Sequence, residues 1–187
     1  ILRCFWKTLI MGQAKVIITQ EMIDYCREAI PVVQVHRTKA SPYDTLGGLL
    51  GELIFAEWFL GSWREHNVYD TKGKEDFFNE IEIKTSIFPF SKNLNLLVRE
   101  DYASKRKPKF YIQIIIDIEN RNQKIIPAGT NAFLAGFASY QEVDQAPLRD
   151  FGSKFGNRGG YRCRYISIKN LQPMSNFKSI YNRPNVV

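Results

Sequence analysis

The sequence predicts a mixed α/β domain, and three observations carry that prediction. Residues 44–60 form a long apolar stretch with helix-compatible boundaries. Residues 110–118 form a nearly unbroken apolar run of the kind that becomes a buried central strand, and residues 80–87 alternate polar and apolar side chains as a half-buried strand does. The chain has 187 residues, enough for one domain whose core needs no metal or disulfide staples. With 24% charged residues, 12 Gly and 8 Pro, the composition excludes disordered, collagen-like and low-complexity classes. The longest apolar stretch, 46–60, is interrupted by Glu52 and Glu57, so no uncharged run reaches the roughly 18 residues of a membrane span. A soluble domain with no membrane partner is the expectation.

Residues 1–10 precede Met11-Gly12, which reads as the natural start, and they lack the apolar core of a signal peptide. They are expected to be an upstream leader or an expression remnant, which leaves 11–187 as a single domain. Thr19 is a plausible N-cap for a helix over about 20–30 that stops before Pro31. Residues 32–43 then connect to the long helix, opened by Asp44 or Thr45 and closed by Gly61. Short strands are expected at 66–70, 76–78 and 80–87, with turns at 71–74 and around Asn79. A helix is expected within 93–107, ended by Pro108, followed by strands at 110–118 and 132–138. Ser139 and Glu142 fit a capping box that opens a short helix before Pro147. A Gly-rich loop at 152–160 leads to a last strand at 161–168.

Cys4, Cys26 and Cys163 are an odd set without metal-ligand spacing, which reads as three reduced thiols and a cytoplasmic location. The net charge of +7 is lopsided. Residues 146–187 carry eight Lys and Arg against one acid, Asp150, whereas the rest of the chain balances 18 against 18. Within the basic end, Lys154, Arg158, Arg162 and Arg164 are interleaved with Phe151, Phe155, Tyr161 and Tyr165. That mixture suits a phosphate backbone and stacked bases, and an ordinary solvated basic face is the alternative. Arg37 and Lys39, beside His36, offer a second phosphate contact or a solvated loop. His66 reads as a surface residue at the entry of a strand, and neither histidine has partners at zinc spacing.

The chemistry gathers around Glu80-Ile81-Glu82-Ile83-Lys84. On a strand Glu80, Glu82 and Lys84 share one face while Ile81 and Ile83 enter the core. Charges on a core strand are costly unless they face a cleft or a cation. Asp76 lies six residues before Glu82, and two short antiparallel strands turning near Asn79 would bring the two carboxylates together. Such a pair does not stay ionised cheaply without a positive charge, and a hard ion with oxygen ligands, Mg²⁺ or Mn²⁺, is the natural partner. Glu52 is an acid on an otherwise apolar helix, with Gly48 one turn before it and Ala56 one turn after. Small neighbours would let the helix approach a sheet and aim that carboxylate inward, although a plain polar stripe would also account for it.

Taken together, Glu52, Asp76 and the Glu82-Ile83-Lys84 triplet resemble the PD-(D/E)XK nuclease superfamily over residues 44–118. The name-giving motif has Pro before its Asp, where this chain has Glu75. The resemblance implies a restriction-endonuclease-like fold, a mixed central sheet flanked by helices, here with an additional C-terminal strand region. It implies that Asp76, Glu82 and the Ile83 carbonyl hold Mg²⁺, with Mn²⁺ as a substitute. Lys84 would orient or activate the attacking water, Glu52 would hold a second metal or a metal-bound water, and Glu80 would be an outer contributor. The expected activity is hydrolysis of phosphodiester bonds in DNA by an endonuclease, with a homodimer or higher homo-oligomer as an option for cutting both strands. The rival readings are a nuclease-fold nucleic-acid-binding module without catalysis, and an ordinary α/β protein in which the triplet is a salt-bridged edge.

Overall fold

A computed structural model describes residues 14–33, 40–70, 75–103, 107–151 and 162–181. Strand β1 (Ala14–Ile17) runs through Thr19, whose hydroxyl accepts the Met22 N–H at 3.2 Å, into helix α1 (Gln20–Val33). The helix does not stop before Pro31 but carries it in its last turn. There the missing N–H deprives only the carbonyl of exposed Arg27, which water can satisfy. Helix α2 (Pro42–Leu60) begins before the expected Asp44. Ser41 is the cap, Pro42 occupies the first turn, and Asp44 is the reciprocal acid of a capping box. Gly61 ends α2 in the left-handed region, φ 94°.

The strand expected at 66–70 is absent. The Asn67 side chain accepts the Tyr69 N–H at 3.1 Å and donates to Asp70 at 2.9 Å, a local turn that competes with sheet pairing. Strand β2 (Ile81–Ile87) forms as the alternation predicts. The helix expected within 93–107 is instead strand β3 (Asn95–Arg99) and a single helical turn, α3 (Glu100–Ala103). Strand β4 (Phe110–Ile116), strand β5 (Asn131–Ser139) and helix α4 (Tyr140–Gln145) follow, α4 opened by the expected Ser139–Glu142 capping box. Strand β6 (Leu148–Asp150) and strand β7 (Arg162–Ser167) lead to helix α5 (Met174–Ile180), which has no counterpart among the expected elements. The Gly-rich loop lies outside the described residues.

The main sheet has the order β1-β5-β4-β2. β2 and β4 are parallel and the other pairs antiparallel, which makes it a mixed sheet. Its register sets Glu82 beside Tyr111 and Lys84 beside Gln113. One face carries α1, α2 and α5 over a core that includes Leu50, Leu53, Ile81, Ile112 and Phe137. Phe177 of α5 sits among Phe55, Phe59, Phe110 and Phe137, with ring centroids 5.1–5.9 Å apart. The second sheet, order β3-β7-β6, is antiparallel throughout and packs on the opposite face, where Leu96 and Val98 meet Tyr111, Ala138 and Val143. β3 is a strand because Leu96 and Val98 alternate into this second core and pair with β7, more than sixty residues later in the chain. No helix among the described residues is long and apolar enough to cross a membrane.

Candidate active site

β2 is an edge strand of the main sheet, and its alternation divides its chemistry. Even-numbered residues turn their backbone groups toward β4, as the Phe110 N–H to Glu80 C=O bond at 3.1 Å illustrates. Odd-numbered residues therefore turn theirs to the free edge. Ile81 uses them there in a two-way bridge to Phe77, at 3.0 and 3.1 Å. Of the two strands expected around Asn79, the one at 80–87 forms as β2, and the one at 76–78 shrinks to this single antiparallel bridge. Its turn puts Phe78 and Asn79 at φ 55° and 56°, a region that Asn tolerates and Phe does not favour. Phe78 is held there by ring contacts with Phe59, Phe77 and Tyr181.

That bridge delivers Asp76 to the edge. Its Oδ2 accepts the Ile83 N–H at 2.6 Å, and the same alternation turns the Ile83 carbonyl to this edge as well. Burial pushes the Asp76 carboxyl well above the usual carboxylate range, and the charges of Glu82 and then Glu52 push it further. The Ile83 N–H and Lys84 oppose the shift. On the polar face, Lys84 Nζ donates to Glu82 Oε1 at 2.7 Å, both side chains remaining partly in water. Next to them in the register, Tyr111 is buried and its hydroxyl pKa is raised by burial and by Glu82. Gln113 is also buried and donates to Ser86 Oγ at 3.2 Å and to the Ile114 carbonyl at 2.9 Å.

Glu52 reaches this neighbourhood from α2. The helix does come close to the sheet, through Gly47 and Gly51 and not through Gly48. A Cβ on Gly51 would lie 1.9 Å from Thr85 Oγ1, and one on Gly47 would lie 2.5 Å from Ile87 Cδ1, whereas Gly48 has nothing within 4 Å. With the backbones this close, Glu52 is buried at 8% exposure and its Oε2 lies 2.8 Å from His66 Nε2. His66 is therefore not a surface residue. Its side chain is 9% exposed and its ring stacks on Phe77, centroids 4.2 Å apart at 22°. Burial lowers its pKa to about 4, so at neutral pH the imidazole is uncharged and its contact with Glu52 is a hydrogen bond and not an ion pair. No local signal in the sequence marks His66, since its partner is 14 positions back and its stacking neighbour 11 positions on.

Asp76, Glu82, Lys84, Ile83 and Glu52 are thus gathered at one edge of the main sheet, with Glu80 half-buried at its start. Among the described residues, no three His, Cys, Asp or Glu side chains converge on one point as they stand. Lys84 draws Glu82, and His66 draws Glu52.

Of the basic residues singled out, Arg162 is exposed and pairs with Glu100 at 3.5 Å. Arg164 is half-buried and donates to the Ala146 carbonyl at 2.7 Å, an internal tie. Arg37, Lys39, Lys154 and Arg158 lie outside the described residues. Cys26 and Cys163 are buried free thiols, with pKa values raised by burial. Comparison with protein-family models, with curated proteins and with solved structures yields no significant match.

Proposed function

We propose that the protein is a divalent-metal-dependent endonuclease that hydrolyses phosphodiester bonds in DNA, with a restriction-endonuclease-like core. The observation that carries this reading is Asp76: a half-buried residue whose carboxyl is raised first by desolvation and then by Glu82 and Glu52, on the same strand edge as a backbone carbonyl and beside the Lys84 ammonium. Carboxylates that oppose one another's ionisation are a poor arrangement for stability alone, and a cation resolves it.

The donor set suits Mg²⁺ or Mn²⁺: it is all oxygen, from Asp76, Glu82 and the Ile83 carbonyl, with Glu52 as a further carboxylate. Bound there, the ion would supply Lewis acidity, lowering the pKa of water and offsetting charge on the phosphate. The protein's own residues do the rest. Asp76, fixed by the Ile83 N–H, sets where positive charge can sit. Lys84 Nζ, 2.7 Å from Glu82, holds an ammonium donor where the attacking water would be oriented and where negative charge develops on the phosphate oxygens. Arg162 and the basic segment around it would hold the nucleic-acid backbone, a contact that carries no sequence information by itself.

The reading is tested with supercoiled plasmid, purified protein and Mg²⁺, Mn²⁺ or EDTA, beside Lys84→Ala. Cutting that needs the metal and is lost in the variant is the expected result. A salt-sensitive gel shift with no cutting in either metal would replace it with the binding module. Neither cutting nor shift would leave a salt-bridged sheet edge and nothing more.

A further inference from the structure

We infer that His66 is a positioning residue for this site, holding the Glu52 carboxylate through Nε2 and the Asp76 segment through its ring. The inference rests on the metal-site reading above, and it concerns a residue that the resemblance does not assign.

The chain is folded deliberately to bring His66 here. Gly61 turns the backbone at the end of α2, and the Ser62 hydroxyl accepts the Arg64 N–H to cap a 3₁₀ turn, Trp63–Glu65. The Trp63 N–H donates to Glu57 Oε2 at 2.8 Å, so the segment doubles back along the helix it has just left. His66 then lies against Glu52 with both side chains nearly excluded from water.

Two separate contacts follow. A carboxylate oxygen only accepts, so the ring donates from Nε2 to Glu52 Oε2, which fixes one carboxylate oxygen and leaves the other oxygen's direction set. The same ring covers Phe77, the residue after Asp76, which also meets Phe55 edge-on at 4.8 Å and bridges to Ile81. One side chain thus ties the acid on α2 to the segment that carries the acid at the sheet edge. Neither contact is made to a reacting atom, so the role is to hold other groups.

Two substitutions separate the contacts. His66→Phe keeps a ring over Phe77 and removes the donor; His66→Gln keeps an N–H donor at similar reach and removes the ring. The readouts are binding of Mn²⁺ alone, by calorimetry without DNA, and plasmid cleavage as a function of Mn²⁺ concentration. The expected result is that His66→Phe melts near the wild type yet binds Mn²⁺ about 10-fold more weakly, with the loss concentrated in the half-saturating metal concentration, and that His66→Gln recovers most of the affinity. Wild-type affinity in a folded His66→Phe would overturn the inference.

Should both variants fail to fold, the imidazole ¹⁵N spectrum of the wild type decides. A His66 proton on Nε2 whose resonance moves in Glu52→Gln supports the inference, and a proton on Nδ1 alone overturns it. A wild type that neither binds Mn²⁺ nor cuts DNA would instead remove the metal-site reading, and this role with it.

Discussion

Along β2, Ile81, Ile83 and Ile87 pass into the helix layer at 8% exposure or less, while Glu82 and Lys84, one position away, keep 26% and 28% of their side chains in water. The two faces of one seven-residue strand follow different physics. The apolar face is settled by area removed from water, at about 25 cal/mol per Å², and by how closely α2 can approach. The polar face is different: Glu82 and Lys84 pair with each other while partly in water, and Asp76 beside them resists ionisation. Fold is fixed on one side of the strand, and the proposed chemistry lies on the other.

Breaking the polar face should cost activity and little else. Lys84→Ala is expected to reduce metal-dependent cleavage by about 100-fold or more, with a melting temperature close to that of the wild type, because the lost ion pair is partly solvated. Breaking the apolar face should cost stability. Ile83→Ala is expected to lower stability by about 2–5 kcal/mol in urea titrations.

The helix approach can be probed by one methyl group placed at two positions. Gly51→Ala drives a Cβ into Thr85 and should destabilise by about 1–3 kcal/mol, whereas Gly48→Ala meets nothing and should stabilise by about 0.5–1 kcal/mol through helix propensity. If the two variants melt alike, the close contact between α2 and β2 is not what positions Glu52.

The smallest effect sharpens the comparison through pH. His66 has a folded pKa of about 4, below its ordinary value, so its contribution is present above about pH 6.5 and is lost as pH falls toward 4. Asp76 has a raised pKa and works in the opposite sense: its contribution is present in acid and is lost as pH rises through the folded value. The two slopes partly cancel in the wild type. Asp76→Asn removes one of them, so in EDTA it should be more stable than the wild type at neutral pH. Between pH 6.5 and 4 it should lose stability more steeply.

The strand, the long helix and the buried central strand were legible because their signals are local: alternation in 80–87, an apolar run at 46–60 closed by Gly61, and an apolar block at 110–118. β3 was not, because Asn-Leu-Leu-Val-Arg has no helix or strand period of its own and becomes a strand by pairing with β7. The choice between Gly48 and Gly47 with Gly51 failed for a related reason. α2 is apolar on nearly every side, so its sequence does not say which side meets the sheet, and one position is a rotation of 100°. The grouping of Asp76 with Glu82 was readable from a six-residue separation and a turn. His66 was not, since a lone histidine between a helix and a loop looks the same whether it is solvated or buried.

The bridge at Phe77 and the carboxyl of Asp76 also have a consequence for solubility. An edge strand offers a row of amides to any extended chain that arrives, and unprotected edges are where proteins add to one another. Here Phe77 takes both backbone groups of Ile81, and Asp76 takes the amide of Ile83. An incoming strand would have to displace a covalently tethered competitor whose carboxyl oxygens repel carbonyl oxygens. The residue proposed to recruit a metal ion is therefore also a sentry against self-association. Shortening it to Ala would open this edge to other chains even under conditions in which no nucleic acid is ever cut.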